Sequence, residues 1–235
     1  MESSQQITTL SFFRYKGFLQ KIWAFFMMQF AHRHLSGVKG QRFYRLMGSG
    51  KGMGFNPWPD WSVYALLQVW DSEEEADHFH QNSKLMQAYG RKVRESWVLY
   101  MRNIKAHGEW GGSNPFQTVK EDPGNPLIAV ITRATLKKKT LWKFWKYVPT
   151  SEKPLINNPG LIYTKGIGEV PVVHMATFSI WKDQQSLKDF AYGSKEHARA
   201  IKMTRELGWY SEELFSRFQP FKCRGSWQGI DLGLK

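Results

Sequence analysis

One cysteine, Cys223, stands among 235 residues. A single thiol cannot build an intrachain disulfide framework or a cysteine-based zinc site, and it suits a reducing compartment. Acidic residues are also short: 20 Asp and Glu face 33 Lys and Arg, a formal charge of +13. The imbalance favours an anionic partner, whether nucleic acid, an acidic membrane surface or an acidic electron carrier. No apolar run is long enough to span a bilayer, since the longest, Phe18 to Phe30, is broken by Gln20, Lys21 and Gln29. The opening residues Met1-Glu2-Ser3-Ser4-Gln5-Gln6 lack the basic and apolar regions of a secretory signal, so the chain is expected to stay inside the cell. Aromatics, in contrast, are plentiful, with eleven Trp and sixteen Phe. With 42% hydrophobic residues the composition is that of one large folded domain or two small ones, not of a disordered or collagen-like chain.

The chain reads as if written twice. A shift of 111 positions lays 64–95 over 175–206, and seven of thirty-two positions are identical: Ala65/Ala176, Trp70/Trp181, Phe79/Phe190, Ser83/Ser194, Lys84/Lys195, Arg94/Arg205 and Glu95/Glu206. Gly108-Glu109-Trp110-Gly111-Gly112 is echoed by Gly225-Ser226-Trp227-Gln228-Gly229, and Gly48-Ser49-Gly50 by Gly166-Ile167-Gly168. In the second half, 127–133 is a β-branched strand and 140–147 a Trp- and Lys-rich helix. Segments 161–164 and 172–181 pair around a turn containing Gly166 to Pro171, 183–206 is a helix capped by Asp183, and 214–218 begins the last strand. That order is β-α-β-β-α-β, the ferredoxin-like unit. The expected fold is therefore α+β, with duplicated ferredoxin-like units forming a dimeric-type α/β barrel within one chain. Residues 1–113 form the first half, 114–126 a Pro-rich linker and 127–235 the second half.

The run Gly48-Ser49-Gly50-Lys51-Gly52-Met53-Gly54 is not a nucleotide loop, because Phe55-Asn56-Pro57-Trp58-Pro59 follows where a helix would have to start. It reads as a turn or bulge between strands. The seven histidines show no H-E-x-x-H spacing, so a hydrolytic zinc site has no support. His197 differs from the others: on the 183–206 helix its face carries Phe190, Gly193, Ser194, Ala200, Ile201 and Thr204. Small residues one turn away leave room for a flat ligand, and both a hydrogen-bonded core histidine and an axial haem ligand fit the pattern. The aromatic, lysine-bearing stretches 18–30 and 140–147 suit a membrane interface. No RNA-recognition or zinc-finger signature accompanies them, and nucleic acid is not an expected partner.

Ser11-Phe12-Phe13-Arg14, the glycine run through Gly54-Phe55-Asn56-Pro57, Ile131 to Thr135, Gly166 to Pro171, Thr177 to Trp181 and Trp209 to Leu214 occur in an order that resembles the spheroidene monooxygenase (acyclic carotenoid 2-ketolase) family. The resemblance implies a haem b enzyme that oxygenates a carotenoid with dioxygen and electrons from reduced ferredoxin. Two hydroxylations at one carbon would give a gem-diol that loses water to the ketone. His197 matches a family histidine and is the implied iron ligand, with Ser194 and Ile201 beside it. Arg133, with Arg14 as its first-half counterpart, is a candidate distal or propionate contact, and Phe178 and Ile180 are expected to face the helix and line the pocket. The implied location is cytoplasmic, peripheral on the inner membrane, where the substrate dissolves. Self-association of the barrel is left open. Two other classes fit less of the pattern: a haem enzyme of another reaction, such as an aldoxime-dehydratase-like one, and a non-catalytic haem- or lipid-binding protein.

Overall fold

The computed structural model describes residues 5–53, 58–147, 155–193 and 208–234. Eight strands close into one antiparallel barrel: β1 (Ile7–Arg14), β2 (Gln41–Gly50), β3 (Pro59–Trp70), β4 (Glu95–Gly108), β5 (Ile128–Leu136), β6 (Leu161–Val170), β7 (His174–Trp181) and β8 (Tyr210–Gly225). Helices lie outside it: α1 (Phe18–Phe30) and the short α2 (His32–Leu35) between β1 and β2, then α3 (Glu73–Asn82) and α4 (Lys84–Gly90) between β3 and β4. In the second half α5 (Leu141–Tyr147) follows β5 and α6 (Gln184–Gly193) follows β7. Ser72 and Ser83 cap α3 and α4 by accepting from the amides of Glu75 and Met86, and Asp183 accepts from Ser186 N at 2.7 Å.

The strand order around the barrel is β1-β3-β2-β6-β7-β5-β8-β4. Among the first four strands it runs β2-β3-β1-β4, and among the last four β6-β7-β5-β8, so each set has the same arrangement. Register then fixes which positions correspond. Trp70 lies opposite Ile7, and Trp181 lies opposite Ile128. Each indole donates to a hydroxyl at 2.9 Å, Thr9 in one case and Ser179 in the other, and each ring meets a helix phenylalanine, Phe79 at 5.2 Å and Phe190 at 5.0 Å. Two of the sequence identities, Trp70/Trp181 and Phe79/Phe190, thus make the same contact.

Register also corrects the sequence reading in three places. Ala65 lies opposite Phe12 and Ala176 opposite Arg133, so Arg133 corresponds to Phe12; Arg14 lies two residues further along β1, opposite Val63. Gly166 to Val170 is not a turn but the end of β6, whereas Gly48 to Gly50 ends β2 with a register shift that is the expected bulge, followed by bends at 51–53. These glycine runs meet each other, Gly48 opposite Gly168, at the short β2–β6 seam. A Cβ on Gly168 would come within 2.3 Å of the His174 carbonyl, which the close crossing of the chain forbids. Finally, β8 is 16 residues long rather than a short terminal strand, because it pairs with both β4 and β5 and so makes the second seam. Segment 114–126 is bonded to it: Gln219 accepts from Asp122 N at 2.7 Å and donates to Asn125 O at 2.7 Å, and Phe116 stands edge-on to Phe218.

Eight strands leave an interior wide enough only for side chains. Here Phe12, Trp97, Tyr163, Phe178 and Trp227 fill it with ring centroids 5.5–6.4 Å apart. The barrel is a packed core, and any sizeable ligand must bind elsewhere.

Candidate active site

Each sheet half turns one face into the barrel and the other toward its helices. In the first half the centre of the outward face carries Ser11, Phe13, Tyr44, Leu46, Tyr64 and Leu66. Helix residues Ala24, Ala31, Leu35, Leu85 and Tyr89 close over it in one continuous cluster. At the corresponding register positions the second half has Thr132, Ala134, Thr164, Gly166, Met175 and Thr177. Where the first half has four bulky side chains, Phe13, Tyr44, Leu46 and Leu66, the second has Ala134, Thr164, Gly166 and Thr177. Large residues gather only at the two ends of this face: Ile128, Val130 and Trp181 under Leu187 of α6, and Leu136 and Trp209 under Phe144 of α5. Between them lies a floor of short side chains. Protein interiors are close-packed, so the volume that the first half fills with Phe13, Tyr44, Leu46 and Leu66 must be filled here by something other than the sheet's own residues.

His197, Ser194 and Ile201 lie outside the described residues, as does the expected 183–206 helix beyond Gly193. Phe178 and Ile180 are fully buried but point the other way from the expectation: they belong to the barrel interior, and the helix-facing residue of that strand end is Trp181. The alternation was anchored one residue out of phase, because both faces of β7 are apolar at that end and the sequence alone does not say which is which. Arg133 shares the inward set with Ala129 and Ile131, and its side chain is 4% exposed. Its guanidinium donates to Glu212 and lies 3.7 Å from Glu169.

These residues belong to an ionic plug in one barrel mouth that the sequence reading missed. Glu169 accepts from Arg45 at 2.6 Å and from the Trp110 indole at 3.0 Å, and His174 Nδ1 lies 3.9 Å away. Glu212 also accepts from Gly112 N at 2.8 Å. Burial pulls the Arg133 pKa down, Glu169 opposes this and the neighbouring Arg45 adds to it. The signal available in the sequence was Glu169, a lone carboxylate inside the glycine-bearing stretch Gly166 to Pro171. At the opposite mouth Arg14 pairs with Glu95 at 3.0 Å and lies 4.6 Å from the Trp227 ring. A cavity of about 420 Å³ opens near that mouth, between the β2–β3 hairpin (Gly52, Met53) and β6 (Leu161, Tyr163, Lys165), a size suited to a small organic ligand.

No protein-family model matches the sequence. The chain is 36% identical over 228 residues to spheroidene monooxygenase of Rhodobacter capsulatus, covering 96% of this chain and 94% of that one. The chain belongs to the spheroidene monooxygenase family. A second member, from Cereibacter sphaeroides, is 36% identical over 96% of this chain and 70% of its own length, and one from Rubrivivax gelatinosus is 31% identical over 84% and 75%. This family member is an enzyme, a monooxygenase. Its barrel is shared with two aldoxime dehydratase crystal structures, one in complex with butyraldoxime. Both superpose with a TM-score of 0.60 over 94% of this chain, covering 81% and 83% of theirs, at 10% and 13% identity, which is a likeness of fold.

The spheroidene monooxygenase resemblance implies haem, and the fit of that group can be judged on the floor described above. An iron porphyrin is flat, apolar over most of its area and needs one protein donor to the metal rather than a chelating cluster. Thr132, Ala134, Gly166 and Thr177 offer a flat floor between two apolar walls. Among the described residues no three His, Cys, Asp or Glu gather as a metal cluster. On β5, β6 and β7 the one described histidine, His174, lies in the inward set; His107 of β4 is exposed on the outward face, opposite Phe215, whose other neighbour is Thr132, and His80 is buried in the first half between Trp70, Phe79 and Tyr100. The short side chains of the floor fit the face of the group, and the expected donor, His197, lies outside the described residues.

Proposed function

We propose that this chain is a haem-dependent monooxygenase that hydroxylates a carotenoid and carries the same carbon on to the ketone, with dioxygen as oxidant and reduced ferredoxin as electron source. The observation that carries this reading is the replacement of Phe13, Tyr44, Leu46 and Leu66 by Ala134, Thr164, Gly166 and Thr177 on an otherwise equivalent sheet face. Family membership supplies the reaction class, and the spheroidene in the relatives' name supplies the carotenoid. Each hydroxylation consumes one dioxygen, two electrons and two protons and releases one water.

In this reading the barrel is two ferredoxin-like units, 1–113 and 127–235, joined through 114–126, of which only the second holds the cofactor. The equal strand orders and the paired Trp–Phe contacts support it. His197 would hold the iron, with Ser194 and Ile201 as the neighbours its sequence spacing suggests. Bound haem would supply the activation of dioxygen. The chain's own residues do the rest. Thr132, Ala134, Gly166 and Thr177 form the floor, the α5 and α6 clusters exclude water at its ends, and Phe178 and Ile180 stiffen the floor from inside the barrel. Arg133 is a positioning residue, fixing β5 against β6 and β8 through Glu169 and Glu212. The +13 charge suits an acidic ferredoxin and an anionic lipid surface. The proposed place is the cytoplasmic side of the inner membrane.

The test is the visible spectrum of the purified protein after haem reconstitution, beside His197→Ala. A Soret band lost or shifted in the variant is the expected result, followed by carotenoid turnover that requires reduced ferredoxin. No haem uptake by the parent would overturn the mechanism, and identical spectra would remove His197 from it.

A further inference from the structure

Helix α1 is apolar on both sides. Its inner side buries Ala24 and half-buries Trp23, Met27 and Met28 against the first-half sheet. Its outer side holds Phe18, Leu19, Ile22, Phe25, Phe26 and Phe30, a stripe at helical spacing that runs the whole length of the helix. Phe18 and Leu19 are 76% and 74% exposed, and Phe25, Phe26 and Phe30 about half. Trp61 of β3 extends the stripe: it is 51% exposed and its ring lies 5.3 Å from Phe25. Thirteen residues at a rise of about 1.5 Å make an apolar strip roughly 20 Å long, which is large for a surface left to water.

The charge around this strip selects the occupant. From residue 3 to residue 59 the sequence contains no Asp or Glu, while Arg14, Lys16, Lys21, Arg33, Lys39, Arg42, Arg45 and Lys51 fall within it. Among the described residues Lys16, Lys21 and Arg33, which lie before, on and just beyond α1, have no carboxylate partner. A second copy seated on this face would bring the same cations together. A helix with aromatic and aliphatic residues outward, cations at its flanks and too few residues to cross a bilayer is built to lie at a lipid surface. We infer that the outer face of α1 with Trp61 docks this protein on an anionic bilayer, with the helix in the interfacial plane.

The docked face also leads somewhere. Trp61 stands next to Asp60, whose carboxylate meets Lys165 of β6 at 3.1 Å, and the same lysine donates to Gly52 O at 3.3 Å. Gly52, Met53 and Lys165 line the 420 Å³ cavity, so the β2–β3 hairpin is shared between the lipid-facing strip and that cavity. If the carotenoid reading holds, this is the side from which a bilayer-dissolved polyene enters; the docking itself does not depend on that reading.

The test is co-sedimentation of the full chain, as purified, with vesicles of phosphatidylglycerol and phosphatidylcholine and with phosphatidylcholine alone. Phe25→Ser/Phe26→Ser is compared with Trp142→Ser, which removes the most exposed tryptophan of α5. The expected result is binding to the anionic vesicles, a fall of about tenfold or more in the partition coefficient of the double variant, and little change in Trp142→Ser. Far-UV circular dichroism establishes that the variants are folded, and Phe18→Ser/Leu19→Ser provides a second pair further from the core. Unchanged binding by both pairs overturns the inference. So does a parent dimer in light scattering that the variants lose, which would make the strip a self-interface. Haem uptake is read separately by its Soret band, so failure of the cofactor reading leaves the vesicle result interpretable.

Discussion

Gly166 stands in the second half of the barrel where Leu46 stands in the first: Leu46 lies opposite Leu66 of β3, and Gly166 lies opposite Thr177 of β7. The strand order is the same in both sets of four while the outward side chain is large in one and absent in the other. The first four strands carry a helix-on-sheet core, and the last four a floor of short side chains.

Under the proposed haem reading, refilling that floor is expected to weaken cofactor binding strongly. In Gly166→Leu and Thr177→Leu the second half acquires the side chains of the first. Haem titration followed at the Soret band is expected to show uptake weakened by about two orders of magnitude in the double variant, from a steric clash of the kind overpacking produces. Uptake equal to the parent's would mean that the group binds elsewhere.

Arg133→Met is expected to act on stability and not on the haem spectrum. It leaves Glu169 and Glu212 without their shared cation, at a cost of about 3 kcal/mol. For a chain of this size that lowers the melting temperature by roughly 6–12 °C. A shifted spectrum with an unchanged melting temperature would make Arg133 a contact of the cofactor.

Phe178→Ala separates the barrel interior from the outward face. The ring is fully buried between Phe12 and Tyr163, so its loss should destabilise by about 3–5 kcal/mol through the cavity left behind. Denaturant unfolding measures this, and haem affinity per folded molecule is expected to stay within a few-fold.

A pH effect should come from His80. Burial, with the charge of Arg224 adding and Asp77 opposing, lowers its pKa from 6.5 to about 4. The unfolded chain therefore binds a proton that the folded chain refuses, so this stability is complete above pH 6.5 and is lost as pH falls toward 4. The loss is of the order of 3 kcal/mol. Urea unfolding at intervals across that window should show the slope in the parent and a flatter profile in His80→Phe, whose ring suits the surrounding Trp70, Phe79 and Tyr100.

Much of this was legible in the chain itself. Internal identities such as Trp70/Trp181 and Phe79/Phe190 marked equivalent positions, because an indole and a phenyl ring that pack on each other constrain both partners. Strand and helix types followed from β-branched runs and caps, since those are local preferences. Facing was not legible. At Phe178, Ile180 and Trp181 both sides of the strand are apolar, so alternation gave no phase, and only the closed barrel decides that Phe178 looks in and Trp181 looks out. Likewise the meeting of Gly48 with Gly168, the gathering of Arg45, Arg133, Glu169 and Glu212, and the outward turn of the α1 phenylalanines all join residues distant in sequence or divide one helix into faces. Composition and local pattern determined the elements, and the order of the chain's motifs pointed to the family. Which side of each element meets water, core or ligand was decided by strand register and barrel closure, because burial is a property of the assembled sheet and not of any one segment.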